Sequence, residues 1–189
     1  WSSDVCSSDL DHSNFLGESA GNGATYAANS NFLGQNVGIL ATNAEHSNFL
    51  GELAGSYATN AAHSNFLGIS AGSNATYANN SNFLGVQAGN NATNADNSNF
   101  IGASAGRFAT NANNSTFIGY NAGNDATNAN NSTFIGDNAG YESVSAVYST
   151  FLGYNAGKRK YYINPSIYVN TNKAQYFSDG ANYFDSTII

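Results

Sequence analysis

The sequence predicts an all-β fold, a parallel β-solenoid (β-roll) of about nine coils with 17 residues in each. Phenylalanine recurs nine times at a constant spacing of 17, and each is followed by Leu or Ile and then by Gly. A unit this short and this rich in Gly, Asn, Ser and Thr has poor helix propensity. Because stacked coils place like residues above one another, we predict a core column made of Phe15, Phe32, Phe49, Phe66, Phe83, Phe100, Phe117, Phe134 and Phe151.

Each unit follows the pattern N/H-S-N-F-L-G-x-x-A-G-x-x-A-T-x-A-x over residues 11–157. The S-N-F-L-G segment favours a short strand, A-G a turn, and A-T-x-A a second short strand that returns through an Asn-rich turn. Glycine supplies the positive φ that sharp corners require. At about 4.8 Å per coil, nine such coils would form a rod roughly 43 Å long.

The residue before each phenylalanine is Asn in the first six coils and Thr in the last three. Stacking in register would join the amides into a side-chain ladder, as in other stacked β architectures. The predicted ladder contains Asn14, Asn31, Asn48, Asn65, Asn82 and Asn99, and its column continues through Thr116, Thr133 and Thr150.

Both faces of the predicted strand are apolar, because Phe and the following Leu or Ile are adjacent and adjacent side chains point to opposite faces. One column can fill the coil interior, whereas the other would be an exposed stripe of a kind that monomers rarely leave bare. We therefore expect lateral association, most simply a homotrimer whose axis is lined by one column. The alternative is a twist at a corner that brings both columns into one interior.

Composition and charge exclude several classes of function. Five basic residues against twelve acidic ones give a net charge of -7, which argues against a nucleic-acid partner. No apolar run approaches the roughly 18 residues of a membrane span. The glycines belong to the repeat rather than to a phosphate loop, and a calcium-binding repeat would need a regular Asp. Glu18 and Glu52 share a column two coils apart, about 10 Å, so we expect neither an enzyme nor a cofactor.

The two ends of the chain differ from the repeat. Residues 1–10 resemble a translated sequencing-library adapter and are set aside; a clipped signal peptide is the alternative. Residues 158–189 carry four basic and two acidic residues, whereas residues 11–157 carry one and eight. We predict a cap over the last coil or the start of a further domain, with a strand at S-I-Y-V-N. Binding of a sugar or an acidic surface by its basic and aromatic residues is the alternative.

Candidate binding residues come from the positions that vary between coils, which are the pairs after Phe-Leu-Gly and after Ala-Gly. Neutral variation on a solvated edge is the alternative interpretation. His12, His46 and His63 share one column and could ring an ion in a trimer, but Asn replaces them in other coils, which favours polar turn residues. The candidate surface contacts are Ile39, Leu40, Tyr57, Arg107, Phe108 and Tyr120.

The S-N-F-L-G-x-x-A-G unit resembles the short Ser-Val-Ala-Ile-Gly repeats of the β-roll head in trimeric autotransporter adhesins. It is more similar to the tandem S-N-F-I-G-x-x-A-G-x-x-A-T-N-A repeats of bacteriophage tail fibre proteins and of related bacterial genomes. The resemblance covers residues 11–157, although the unit is longer than that of the adhesins. It implies an elongated trimeric fibre, on a virion or a cell surface, that presents a recognition surface to a glycan or protein receptor.

We therefore expect a non-enzymatic fibre segment, most simply of a phage tail fibre, with the head of a bacterial trimeric adhesin as the alternative. A polysaccharide-degrading fibre is a further possibility, although no acid pair with catalytic spacing is present. An ice-binding solenoid belongs to a different class, and it would use the hydroxyl column formed by Thr25, Thr42, Thr59, Thr76, Thr93, Thr110 and Thr127.

Overall fold

The structure, a computed structural model, describes residues 11–159 and 167–169. Within them the ordered elements are ten strands of three residues each, in one parallel sheet that follows chain order. This confirms the predicted parallel β-solenoid. The strands are β1 (Asn14–Leu16), β2 (Asn31–Leu33), β3 (Asn48–Leu50), β4 (Asn65–Leu67), β5 (Asn82–Leu84), β6 (Asn99–Ile101), β7 (Thr116–Ile118), β8 (Thr133–Ile135), β9 (Thr150–Leu152) and β10 (Ile167–Val169).

The phenylalanine column fills the interior, as predicted. Each phenylalanine of this column from Phe32 to Phe151 is fully buried, and Phe15 in the first coil is half-buried. Neighbouring rings have centroids 4.5 to 4.9 Å apart and planes within 17° of parallel. Small residues complete each coil; around Phe49 these are the buried Ala54, Ala58 and Ala61. The core is therefore a single file of stacked rings bordered by three columns of mostly alanine.

The glycine of each Ala-Gly pair is required by both backbone and packing. Gly89 has φ +61, and a Cβ at this position would overlap the ring of Phe83. The chain turns here so tightly over the phenylalanine that only glycine fits. The predicted Ala-Gly turn is confirmed. The close approach of its glycine to the phenylalanine ring explains why the pair recurs in almost every coil.

The serine two residues before each phenylalanine forms a buried hydroxyl ladder. Ser47 Oγ donates to the carbonyl of Ala61 at 2.7 Å and accepts from the N–H of Ser64 in the next coil at 3.0 Å. The same pair of bonds recurs along the rod. Buried hydroxyl groups are normally hydrogen-bonded. This column connects each coil to the next, and its hydroxyls donate and accept hydrogen bonds.

The predicted second strand is shorter than expected. In the A-T-x-A segment only the threonine pairs with its counterpart, in isolated parallel bridges from Thr25↔Thr42 to Thr110↔Thr127. The prediction of a strand over the whole segment is wrong because the next residue has a positive φ, as at Tyr77 (50°) and Asn94 (50°). That left-handed conformation ends the extended backbone after one residue.

Asparagine is abundant in the repeat because several positions of each coil are left-handed. Asn29, Asn80 and Asn97 have φ of 56° or 57° at the turn before the serine column. Asparagine tolerates this conformation better than most residues, since its short side chain bonds locally. The predicted Asn-rich turn is therefore confirmed, and composition follows from the backbone.

The sheet continues past residue 157. Strand β10 pairs with β9 in parallel, with Tyr168 opposite Phe151, which confirms the strand expected at S-I-Y-V-N. Tyr168 follows Phe151 by the 17-residue period, so this strand has the register of a further coil. The cap or further domain predicted for the rest of residues 158–189, and the adapter interpretation of residues 1–10, lie outside the described residues.

Candidate functional site

An aliphatic strip runs along the outer face of the sheet. Leu16 is 69% exposed, Ile101 38% and Leu152 43%, whereas the phenylalanine beside each points inward. The predicted division of the two columns between opposite faces is confirmed, and the alternative in which both share one interior is wrong, because the strand stays extended across both residues. The aliphatic strip comprises Leu16, Leu33, Leu50, Leu67, Leu84, Ile101, Ile118, Ile135 and Leu152.

The predicted asparagine ladder lies beside the aliphatic strip. Each amide nitrogen from Asn14 to Asn82 donates to the amide oxygen of the next coil at 2.8 Å, and the chain of bonds ends at Asn99. Thr116, Thr133 and Thr150 continue the column in register. The ladder fixes the amide planes, so the strip has a rigid polar border.

The aliphatic strip and the asparagine ladder line an open groove of about 720 Å³. The groove covers coils two to six, from Asn31 to Ile101. Its apolar part comes from Leu33, Leu50, Leu67 and Leu84, and its polar part from the amides. The same pair of side chains recurs at every rung, so the groove has the periodicity of the solenoid. Such a surface fits a partner with the same rise per rung.

The six predicted contact residues do not form one patch. Leu40, Tyr57 and Phe108 occupy one column and are 50%, 51% and 37% exposed. Ile39 and Arg107 precede two of them and are half-buried. Tyr120 is 56% exposed in a separate column. Ile39, Leu40 and Tyr57 lie on two successive coils, and so do Arg107, Phe108 and Tyr120 further along the rod. The binding role of all six stays a prediction.

Arg107 is held against its neighbour. Its guanidinium carbon lies 4.4 Å from the ring centroid of Phe108, a cation–π contact. Its Nε atom is buried, with no hydrogen-bond partner among the described residues. Part of this side chain therefore packs on the rod instead of reaching into solvent.

Three charged residues, Asp125, Glu142 and Arg159, occupy one column at the C-terminal end of the described rod. Arg159 Nε donates to Glu142 Oε2 at 2.8 Å. Partial burial, and then repulsion from Glu142, raise the pKa of Asp125 above its ordinary value, while Arg107 opposes the shift. The pKa of Tyr141 is also raised, chiefly by its hydrogen bond to the Glu142 carboxylate. Asp125 is thus a carboxylate whose ionised form the fold disfavours.

We expect the Asp125→Asn variant to be more stable than the parent at pH 7. A raised pKa means that the folded chain binds the proton of Asp125 more tightly than the unfolded chain does, so the ionised form destabilises the fold above that pKa. The penalty disappears as the pH falls below 3.8, the ordinary value. Thermal unfolding at pH 7 and pH 3 checks this.

Asn already occupies the Asp125 position in two other coils, at Asn74 and Asn91, so the substitution suits the backbone. A small rise in melting temperature at pH 7 and no difference at pH 3 are the expected results. An equal gain at both pH values would mean that the charge of Asp125 is not the cause.

The predicted stacking of His46 on His63 is confirmed. Their ring centroids are 5.0 Å apart and their planes lie 6° from parallel. Both residues are left-handed turn residues, with φ of 55° and 57°, like the asparagines that replace them elsewhere. Within residues 11–159 and 167–169, no three His, Cys, Asp or Glu side chains are placed to hold a metal ion. The left-handed backbone that these histidines share with the asparagines favours the interpretation as turn residues.

The column that contains Tyr120 changes character along the rod. Gln35 Nε2 donates to Glu18 Oε2 at 2.9 Å near one end, so Gln35 separates Glu18 from Glu52. At the other end the column presents Tyr120, Asp137 and Tyr154, which we call the Tyr-Asp-Tyr strip. Tyr154 is 57% exposed and occupies the same repeat position as Tyr120. It was not among the contact residues predicted from the sequence.

A second asparagine ladder lies beside the threonine column and was not predicted. Asn43 bonds to Asn60, and Asn94, Asn111 and Asn128 bond in series, each at 2.8 Å. Tyr77 interrupts this column and is 53% exposed, and Tyr26 precedes it at 54%. The half-buried threonines therefore border a face from which two bulky rings project.

No family model matches the chain, and the comparison with curated proteins found no significant match. Over the part of the chain that the structure describes, there is no helix with the length and apolarity needed to cross a bilayer.

Proposed function

We propose that this chain is a segment of a homotrimeric fibre, in which the solenoid is a stiff shaft that holds a recognition surface away from a virion or a cell. The role is mechanical and multivalent and involves no catalysis. The observation that supports it best is the aliphatic strip on the outer face, which continues through nine strands of a rod whose interior is already filled. Its residues are exposed in four of these strands and half-buried in the other five.

Stiffness follows from the number of parallel connections between coils. The backbone ladder, the stacked phenylalanines, the buried serine hydroxyls and the asparagine amides all run along the rod axis. A bend at any coil would have to break bonds in several of these columns at once. The rod therefore behaves as a single shaft.

Lateral association follows from the exposed strip. An apolar surface is stabilised by roughly 25 cal/mol for each Å² removed from water. A strip of nine rungs is about 43 Å long at roughly 4.8 Å per rung, so it offers one continuous apolar contact along the described rod. A second surface with the same rise per rung would cover it along its whole length.

A ring of parallel copies suits the asymmetry of this face. The asparagine ladder borders the aliphatic strip on one side, so the contact that one copy offers differs from the contact it receives. Such heterologous contacts close into a ring when the rotation between copies allows it. In a ring of three parallel rods, each rung lies at the same height as the equivalent rung of the other two rods. The aliphatic strip of each rod then faces the common axis.

The alternative functions have weaker support. A trimeric adhesin head would use the same shaft and differ in what anchors it. The regular threonine column favours ice binding, but Tyr26 and Tyr77 project beside it and disrupt the flat face that this function needs. A polysaccharide-degrading site is disfavoured because Gln35 lies between Glu18 and Glu52.

The direct test is the mass of the purified chain in solution by multi-angle light scattering. The proposal predicts three copies per particle and an elongated shape in small-angle scattering. A monomeric particle at all concentrations would overturn the trimer, and thermal hysteresis in the same sample would favour the ice-binding alternative.

A further inference from the structure

We propose that the Tyr-Asp-Tyr strip is a binding platform for a linear, neutral carbohydrate chain that lies along the rod axis. Tyr120 and Tyr154 are 56% and 57% exposed, and Asp137 between them is also exposed. The three residues lie on consecutive coils, the seventh to the ninth, and share one repeat position. The inference deepens the proposed function by assigning a ligand class to a recognition surface.

The backbone fixes the spacing of this strip. The N–H of Asn138 donates to the carbonyl of Tyr120 at 2.8 Å, and the N–H of Asn155 donates to that of Asp137 at 2.9 Å. These bonds place the three residues one above another. The two tyrosines are therefore separated by two rungs, about 9 to 10 Å at the rise of a parallel sheet.

The chemistry of the strip matches a sugar chain. A tyrosine has a flat apolar ring with a polar tip, and a pyranose has an apolar C–H face with hydroxyls around its edge. A carboxylate accepts hydrogen bonds from several hydroxyl groups. Because two rungs match the length of a disaccharide in an extended chain, the tyrosines can stack on two sugars while Asp137 accepts from the hydroxyls of the sugar between them.

Charge favours a neutral chain over an acidic one. Asp137 lies in the centre of the strip, where its carboxylate would repel the carboxylates or sulfates of an acidic polysaccharide. The described basic groups of the ninth coil are already engaged. Arg159 is paired with Glu142, and Lys158 Nζ lies 5.2 Å from the ring centroid of Tyr141. The strip therefore offers hydrogen-bond acceptors and aromatic faces without a net attraction for anions.

The regular spacing of the tyrosines favours a polymeric ligand. Both rings are more than half exposed on an outer column, where a chain lying along the rod can reach them. An open row of rings with a constant spacing suits a polymer with a constant repeat. In the proposed trimer three such rows would raise avidity without tight single sites.

The test is titration of the full chain with uncharged β1→4-linked oligosaccharides of increasing length, namely cello-, manno- and chito-oligosaccharides, followed by calorimetry or saturation-transfer NMR. We expect binding by at least one series, with an affinity that rises until the oligomer reaches both tyrosines. Tyr120→Ala and Tyr154→Ala should each weaken it by about tenfold, the loss of one stacking contact. Tyr120→Trp should retain it.

Matched controls come from exposed tyrosines in another column. Tyr26→Ala and Tyr77→Ala remove rings that are 54% and 53% exposed, and they should leave the affinity unchanged. The proposal is overturned if no neutral series binds, if sulfated oligosaccharides bind better, or if the control variants weaken binding as much.

This outcome is independent of the trimer, because one chain contains the whole strip. Oligosaccharide binding by a monomeric chain would support the platform and contradict the fibre proposal. A three-chain particle that binds no oligosaccharide would support the fibre and overturn the platform.

Discussion

The Phe83→Asp variant is expected to lose its cooperative unfolding transition. Phe83 is fully buried in the fifth of nine stacked rings, with centroids 4.8 Å from Phe66 on one side and from Phe100 on the other. Truncating a buried phenylalanine costs about 3–5 kcal/mol, and an unpaired buried carboxylate adds several more. The sum approaches the stability of about 5–15 kcal/mol typical of a whole domain. Circular dichroism on heating would measure the loss.

A matched control for charge is Val86→Asp. Val86 lies three residues further along the same coil and is 49% exposed, so its replacement adds the same charge without burying it. We expect this variant to unfold like the parent. A Phe83→Asp variant with the melting curve of Val86→Asp would contradict the buried position of the phenylalanine column.

The Leu84→Asp variant is expected to remain folded but to dissociate, with a threefold fall in particle mass. Leu84 follows Phe83 on strand β5 and points to the opposite face, into the groove beside Asn82. In the proposed trimer the substitution would bring three unpaired carboxylates together at the axis. An uncompensated buried charge destabilises an interface by about 3–5 kcal/mol. Light scattering and circular dichroism on the same sample check both parts.

Val86→Asp is again the control, and it should keep the parent mass. Loss of folding in Leu84→Asp would show that Leu84 belongs to the core of a single chain. An unchanged mass in Leu84→Asp would show that the aliphatic strip is not the interface between copies.

The Phe83 and Leu84 columns could be predicted from the sequence because stacking repeats one geometric demand at every coil. A residue that must fill the same space nine times is recorded nine times, and alternation along a strand then assigns the two faces. The asparagine ladder could be predicted for the same reason. These features depend on register alone.

Other features depend on contacts that a single coil does not show. Thr76 is a typical strand residue by propensity, yet the strand ends there because Tyr77 is left-handed, with φ 50°. Ser81 is small and polar and could equally lie at the surface. It is buried because its hydroxyl donates to the carbonyl of Ala95 at 2.7 Å and accepts from the N–H of Ser98 in the next coil at 3.1 Å.

The candidate binding residues were limited in the same way. Variation between coils correctly indicated that Leu40, Tyr57, Phe108 and Tyr120 are exposed. It could not show which columns are neighbours, because that depends on the turn angles between them. Tyr154 could have been found by comparing Tyr120 with the same position two coils later.

The most direct test of the account is an experimental structure of the full chain by crystallography or electron cryomicroscopy. The account predicts nine phenylalanine rings in one file inside each rod, about 4.8 Å apart, with the aliphatic strips of three rods facing a common axis. Phenylalanines that fail to stack in one file would contradict the solenoid, and aliphatic strips that face solvent would contradict the fibre.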